Sequence, residues 1–176
     1  AAASGAMCRS PLSSPLIPRA LWRELMICSG VVAQVPAATV PDFKFSKPDQ
    51  TVFTAKDLAK GKLLFFVFFD TECEHCQHAI SYLNQHFRDF KNAAIYLINL
   101  EGQGKTDLFI AKYGGNLRRQ KNILFLRDFQ NDFILKFKPR KYPSLFLYSS
   151  TKKLLLYDDE EKNMVNFLNK VKGNIK

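Results

Sequence analysis

An uninterrupted apolar run constrains the fold of this chain more than any other feature. Residues Leu63 to Phe69 read Leu-Leu-Phe-Phe-Val-Phe-Phe. A strand that is buried on both faces has this pattern, whereas a strand with one face in water alternates apolar and polar residues. The run therefore predicts a strand at the centre of a sheet that helices cover on both faces.

The sequence after residue 39 alternates between strand and helix patterns. Strand patterns fall at residues 40–45, 51–53, 93–100, 122–126, 144–148 and 154–157, and helix patterns at residues 74–90, 106–113, 129–137 and 159–172. This order predicts an α/β fold of three layers, in which a mixed central sheet lies between helices on both faces. No stretch approaches the ~18 uninterrupted apolar residues of a membrane span, so we expect no transmembrane span.

Residues 1–38 differ in composition from the remainder. Six small residues precede Met7, four Pro fall between Pro11 and Pro36, and arginines precede a short apolar run from Leu25 to Ala33. A basic start, an apolar middle and small residues after it are a weak form of the secretory-signal pattern. We predict that residues 1–38 are a leader, a fusion remnant or a disordered tail, and that residues 39–176 form one domain.

Basic residues are concentrated in the second half of the chain. The formal net charge is +10, and residues 112–153 hold eleven Lys and Arg against two Asp. A nucleic-acid-binding domain needs a recognisable module as well as charge, and the sequence has no such motif, so nucleic acid is not an expected partner. Four cations precede Pro143, namely Lys136, Lys138, Arg140 and Lys141. They predict a surface that attracts an acidic or phosphate-bearing partner.

Two of the four cysteines form a C-x-x-C motif at the junction of the buried strand and the first long helix. Cys73 is placed at the helix start, where free N–H groups and the helix dipole stabilise a thiolate. The apolar stripe of the helix, which includes Ile80 and Leu83, continues backward onto Cys76. The sequence therefore predicts an accessible nucleophile at Cys73 and a shielded resolving thiol at Cys76, as thiol–disulfide exchange requires.

The two residues between the cysteines are expected to have opposite effects on the stability of the Cys73 thiolate. A positively charged His75 would stabilise the Cys73 thiolate and make the disulfide a better oxidant, whereas Glu74 would oppose it. The alternative for His75 is an exposed residue without a role in the chemistry.

Zinc is a second interpretation of the motif, with Cys73, His75, Cys76 and His78 as ligands. A structural zinc site needs another ligand pair elsewhere. The other cysteines, Cys8 and Cys28, lie in the excluded segment, so we expect no metal.

With these residues identified, the chain resembles TlpA-type thiol–disulfide redoxins of the AhpC/TSA-like branch of the thioredoxin superfamily, as found in Bacteroidetes-like bacteria. The resemblance rests on the segment from Phe65 to His78, on Lys141-Tyr142-Pro143-Ser144-Leu145-Phe146, and on Pro41-Asp42-Phe43. It covers residues 40–172. It implies a thioredoxin-like sandwich and an oxidoreductase that exchanges disulfides with protein disulfide or dithiol substrates and with a redox partner.

The resemblance also implies a location, a cofactor state and a set of site residues. The expected location is the bacterial cell envelope or periplasm, with the cytoplasm as the alternative. No cofactor is expected beyond a Cys73–Cys76 disulfide. Pro143 aligns with the cis-proline that faces the disulfide in redoxins, and Tyr142 would present its backbone to a substrate peptide. Glu72 and Glu74 complete the predicted substrate-binding residues.

The chain departs from the family pattern at three positions. Glu72 replaces the Trp that usually precedes the first cysteine, and Val67 and Ala79 occupy positions where relatives carry a buried acidic residue. The acidic residue that usually takes the proton from the buried thiol is thus absent at both positions, which bears on the rate of the resolving step.

Two alternative functions stay open. A peroxiredoxin needs Thr three residues before its peroxidatic cysteine, and this chain has Asp70 there. A non-catalytic redoxin-fold module would instead bind a partner protein or a metal such as copper.

Overall fold

The structure is a computed structural model and describes residues 34–173. The predictions for the N-terminal segment, including Cys8 and Cys28, therefore fall mostly outside the described residues. Within the described part, no helix is long and apolar enough to cross a membrane.

Seven strands form one mixed sheet in the order β2-β1-β5-β4-β3-β6-β7. Strands β3, β4 and β5 are parallel to one another, and every other pairing is antiparallel. The strands are β1 (Lys44–Ser46), β2 (Val52–Thr54), β3 (Leu63–Phe68), β4 (Ala93–Asn99), β5 (Ile123–Arg127), β6 (Ser144–Tyr148) and β7 (Leu154–Asp158).

Three α-helices and four shorter helical turns connect the strands. The α-helices are α1 (Glu74–His86), α2 (Gln103–Tyr113) and α3 (Met164–Gly173). Single 3₁₀ turns span Phe87–Phe90, Leu117–Arg119 and Glu161–Asn163, and a π-helix spans Phe133–Phe137. The α/β three-layer fold predicted from the sequence is confirmed.

Strand β3 is buried on both faces, as its apolar run predicts. On one face Phe65 stacks on Phe167 of α3, with ring centroids 5.1 Å apart. On the other face Phe68 stacks on Phe133 of the π-helix at 4.5 Å. The strand pairs with β4 on one side and with β6 on the other. Its side chains therefore contribute to both clusters of buried hydrophobic residues, one on each face of the sheet.

Helix boundaries differ from the predicted ones where polar side chains satisfy backbone N–H groups. The helix expected at residues 129–137 is reduced to the π-helix, because the buried Asp128 carboxylate accepts the N–H groups of Asp132 (2.9 Å) and Phe133 (2.8 Å). Helix α3 begins five residues later than expected, because Asp158 accepts the N–H groups of Asp159 and Glu160 and holds them in a turn.

The first strand is also shorter than predicted. Residues 40–43 lie outside it, and the nearby Thr39 forms an isolated bridge with Lys153. Strand β1 itself pairs with β2 along three residues and with β5 at one position. The β1–β2 hairpin therefore forms one edge of the sheet.

Candidate functional site

A tight polar turn joins β3 to α1. The N–H of Phe69 still donates to Ile98 in β4 (3.0 Å). The Asp70 carboxylate then accepts the N–H of Glu72 (2.7 Å), which reverses the chain direction within three residues. This turn places the C-x-x-C motif at the end of the central strand.

Cys73 is the N-cap residue of α1. Its backbone is extended (φ −83°, ψ 120°), and its carbonyl accepts the N–H of Gln77 at 3.1 Å. Its side chain makes no capping hydrogen bond and is partly exposed. The thiol therefore lies at the positive end of the helix dipole and is accessible to solvent.

Cys76 lies one helical turn inward and is completely buried, which confirms the prediction from the apolar stripe. Ile80 and Leu83 of the same helix face are also buried. The Asp70 N–H lies 3.4 Å from the Cys76 Sγ. Burial raises the pKa of the Cys76 thiol, and the N–H of Asp70 opposes this in part. Both cysteines are free thiols.

The loop before β6 approaches the thiols from the opposite side. The Cys73 Sγ lies 4.0 Å from the Tyr142 carbonyl oxygen, and the Tyr142–Pro143 peptide bond is cis, as the resemblance predicts. The Ser144 hydroxyl donates to the Lys141 carbonyl (2.6 Å) and holds the loop. The structure thus brings Tyr142 and Pro143 to the cysteine pair.

The Tyr142 side chain packs against the core. Its ring packs against Phe68, with centroids 4.8 Å apart. Burial raises the pKa of Tyr142 to about 12, and the negative charge of Asp70 adds to the effect. The phenol is therefore neutral at physiological pH, and the backbone is the part of Tyr142 that faces Cys73.

His75 is directed toward the C-terminal part of the chain. Its Nδ1 lies 3.1 Å from Oε1 of Glu161, and the described residues show no hydrogen bond between His75 and either thiol. Burial acts to raise the pKa of Glu161, but the hydrogen bond to His75, a backbone hydrogen bond and the charges of His75 and His78 together lower that pKa below its usual value. His75 is thus paired with Glu161, and the contact is an ion pair when the imidazole is protonated.

The two acidic residues of the motif region differ in their contacts. Glu72 forms an ion pair with Lys105 of α2 at 3.2 Å, and Lys105 also pairs with Glu101 at 3.4 Å. Glu74 is exposed, and its side chain makes no ion pair or hydrogen bond within residues 34–173. Glu74 therefore presents an unpaired carboxylate beside Cys73.

Three of the four cations that precede Pro143 are paired with carboxylates. Lys136 pairs with Asp132 (2.9 Å) and Arg140 with Asp159 (2.8 Å). Lys141 pairs with Glu160. Lys138 is exposed and forms no ion pair with the other described residues. Acidic residues therefore compensate most of this basic run, and an acidic or phosphate-bearing partner for it stays a prediction.

Sequence reasoning missed three residues of the site: Asp70, Lys105 and Glu161. The sequence singles out Asp70 only because a peroxiredoxin has Thr at that position. The run Asp158-Asp159-Glu160-Glu161 precedes the last helix and contacts His75 and the loop at Pro143. Four consecutive acidic residues before a helix are the sequence signal that could have indicated ion pairs with another segment.

Metal ligation can be tested on the side chains themselves. Residues 34–173 contain no group of three or more His, Cys, Asp and Glu side chains that could hold a metal ion. His75, one of the four ligands considered for zinc, is hydrogen-bonded to Glu161.

Comparison with known proteins identifies the family. The model of the AhpC/TSA family matches residues 36–156, which include both cysteines and Pro143. The chain belongs to the AhpC/TSA family. A search of curated proteins gave no match.

Several solved structures share the fold of this AhpC/TSA-family chain. The thioredoxin domain of a thiol-disulfide oxidoreductase from Bacteroides vulgatus is 15% identical with a TM-score of 0.63, over 77% of this chain and 96% of that chain. A thiol-disulfide oxidoreductase from Bacteroides fragilis is 16% identical with a TM-score of 0.62, over 76% and 98%. Peroxidoxin BcpB from Mycobacterium tuberculosis is 13% identical with a TM-score of 0.63, over 80% and 97%. At these identities the likeness concerns the fold.

Proposed function

We propose that this AhpC/TSA-family protein is a thiol–disulfide oxidoreductase that exchanges disulfides with protein substrates through Cys73 and Cys76. The observation that carries the proposal is the unequal placement of the two thiols. Cys73 is accessible at the start of α1, whereas Cys76 is completely buried one turn further along. Disulfide exchange needs one thiol that meets the substrate and one that does not.

The exchange proceeds in two displacement steps. The Cys73 thiolate attacks one sulfur of a substrate disulfide, the substrate S–S bond breaks, and the leaving sulfur departs as a thiolate that takes up a proton. The Cys76 thiolate then attacks the Cys73 sulfur, which releases the second substrate sulfur and forms the Cys73–Cys76 disulfide. Two electrons pass from the pair to the substrate, and the same steps in reverse oxidise a substrate dithiol.

The first step is supported by the position of Cys73. The free N–H groups of the first turn of α1 stabilise a negative charge on its sulfur, because the side chain is not used as a cap. The second step is opposed by burial, which raises the pKa of Cys76. The Asp70 N–H at 3.4 Å from the Cys76 Sγ stabilises the thiolate as it forms.

The loop at Tyr142 and Pro143 is the proposed docking edge for a substrate peptide. The Tyr142 carbonyl is 4.0 Å from the Cys73 sulfur, so a peptide whose cysteine reacts with Cys73 passes beside this backbone. An extended peptide pairs with such an edge through main-chain hydrogen bonds. Glu72 and Glu74 flank the same opening, and His75 adjusts the charge there through its pair with Glu161.

A peroxidase function has less support in the geometry. In place of the hydroxyl that a peroxidatic site uses, Asp70 carries a carboxylate that is already bonded to the Glu72 N–H. The proposed partners are therefore protein disulfides or dithiols and a redox protein that resets the pair. The proposed location is the bacterial cell envelope, where such disulfides persist.

Cysteine variants test the proposal directly. In insulin reduction, Cys73→Ser should lose all activity above background. Cys76→Ser should still attack but stop at a mixed disulfide, which mass spectrometry detects. The control is Cys8→Ser/Cys28→Ser, which should retain full activity. Activity that persists in Cys73→Ser, or rapid peroxide consumption without disulfide exchange, would overturn the proposed function.

A further inference from the structure

The thiols lie in an acidic environment on a basic protein. Eight of the 16 acidic residues of the chain lie in the motif region or in segments that contact it through ion pairs: three between residues 70 and 74, four in the run Asp158-Asp159-Glu160-Glu161, and Glu101. Four cations lie among them, namely Lys105, Arg140, Lys141 and Lys162. With histidines counted as neutral, these twelve side chains sum to a net charge of −4, whereas the whole chain carries +10.

Long-range contacts bring these segments to one place. The Cys73 sulfur meets Tyr142, the neighbour of Lys141. His75 joins the motif to Glu161 across the opening, and Lys105 joins Glu72 to Glu101 on the other side. Carboxylates thus reach the mouth of the site from three separate parts of the chain. We call this set of charges the acidic rim.

Two cations of the rim each form ion pairs with two carboxylates. Lys105 pairs with both Glu72 and Glu101. Lys141 pairs with Asp159 and Glu160, and Arg140 also pairs with Asp159. Glu74 has no cationic partner among the described residues. The rim therefore stays negative after its ion pairs are formed.

We propose that the acidic rim makes the Cys73–Cys76 site select substrates by charge, with a preference for disulfides that lie beside cationic residues. The inference rests on the proposed function and names its substrate class. The dithiol is the reacting site, and the carboxylates set the potential that an approaching group meets within about one Debye length, ~8–10 Å in physiological salt. If the total charge of +10 governed the encounter instead, the site would prefer disulfides that lie beside anionic residues.

Three small disulfides of similar size separate these possibilities: cystamine with two ammonium groups, hydroxyethyl disulfide with none, and dithiodipropionate with two carboxylates. The pre-reduced full chain is mixed with each in a single turnover at constant pH. Every rate is divided by the rate of uncharged dithiothreitol with the same disulfide, which removes differences in intrinsic reactivity.

At low salt the normalised rate should be on the order of ten-fold higher for cystamine than for dithiodipropionate, as expected for electrostatic steering. About 0.5 M salt should bring the two rates close together, because screening shortens the reach of the rim charges. Glu74→Gln should narrow the preference by about two- to three-fold, the effect of one unit charge several ångströms away in water.

A matched variant controls for total charge. Asp49 lies in the turn between β1 and β2, at the edge of the sheet distant from β3, and Asp49→Asn changes the net charge by the same amount. It should leave the preference unchanged.

Two failures are distinguishable. If hydroxyethyl disulfide reacts well but cystamine shows no advantage, or if Asp49→Asn acts like Glu74→Gln, the charge selection is wrong and the proposed function stands. If none of the three disulfides oxidises the Cys73–Cys76 pair, the proposed function fails and the inference fails with it.

Discussion

The imidazole Nδ1 of His75 lies 3.1 Å from Oε1 of Glu161, so the residue between the two cysteines is tied to the segment before the last helix. The Glu161 side chain is 21% exposed, and that of His75 is 64% exposed. The Glu161 carboxyl is therefore partly buried, whereas the His75 ring lies largely in solvent, which screens the pair.

Removing the imidazole should raise the pKa of Glu161. Burial favours the neutral carboxylic acid, and the hydrogen bond and charge of His75 hold the pKa below its usual value. We expect a higher pKa for Glu161 in His75→Gln, measured by NMR titration of the side-chain carboxyl carbon. His86→Gln is the control, because His86 pairs with Asp89 at the other end of α1. An unchanged Glu161 titration in His75→Gln would contradict the ion pair.

The same pair has a consequence for acid stability. The pKa of Glu161 is lower in the folded state than in an unfolded chain, so its contribution to stability is present above the unfolded pKa, about 4.3, and is lost as the pH falls through the folded pKa. His75→Gln should therefore lose less stability than the wild type between neutral pH and that acidic range. Urea unfolding at several pH values measures this.

Cys76 should make the reduced protein sensitive to alkali. Burial raises the pKa of its thiol above that of an unfolded chain. Its contribution to stability is thus complete below the unfolded pKa of about 8.5 and falls above it, with a slope of at most ~1.4 kcal/mol per pH unit. Urea unfolding of the reduced protein at neutral and alkaline pH should show this loss.

The control for the alkaline loss is Cys76→Ala, which keeps the buried tyrosines. Burial also raises the pKa values of Tyr96 and Tyr148. Their effect begins near pH 10, the pKa of tyrosine in an unfolded chain. A loss of equal size in Cys76→Ala between pH 8.5 and 10 would assign the effect to other groups.

Asp128 should be essential for the segment between β5 and β6. Its buried carboxylate accepts the N–H groups of Asp132 and Phe133, and Phe133 packs on Phe68 beside the site. Asp128→Ala leaves both N–H groups without this partner, so we expect a loss of about 1–3 kcal/mol in the free energy of unfolding. Asp128→Asn retains one acceptor oxygen and should lose less. Equal losses in the two variants would contradict the capping role.

The centre of the fold could be predicted from the sequence because its signals are local. Leu63 to Phe69 is apolar on both faces, so its position in the sheet follows from the pattern alone. The buried position of Cys76 follows from the spacing of Ile80 and Leu83 on the same helix. These features depend on neighbours within one or two turns of the chain.

The charges of the site could not be predicted in the same way. The partners of His75, Glu72 and Arg140 lie 86, 33 and 19 residues away in sequence. A count of basic residues before Pro143 therefore overstates the uncompensated positive charge there, because the carboxylates that pair with Arg140 and Lys141 come from another segment. The π-helix differs from the predicted helix for a local reason, since the Asp128 carboxylate accepts N–H groups four and five residues later.

The two-sided burial of β3 also determines how the site can move. Backbone N–H groups in a strand held by β4, β6 and both core halves exchange with solvent only when the whole domain unfolds, so the amides of Val67 and Phe68 should be among the slowest to exchange. Cys73 follows this strand after a turn of four residues. Cys73 is thus held beside a strand that is fixed on both edges and both faces, and under the proposed function a substrate must adapt its own conformation to reach that thiol.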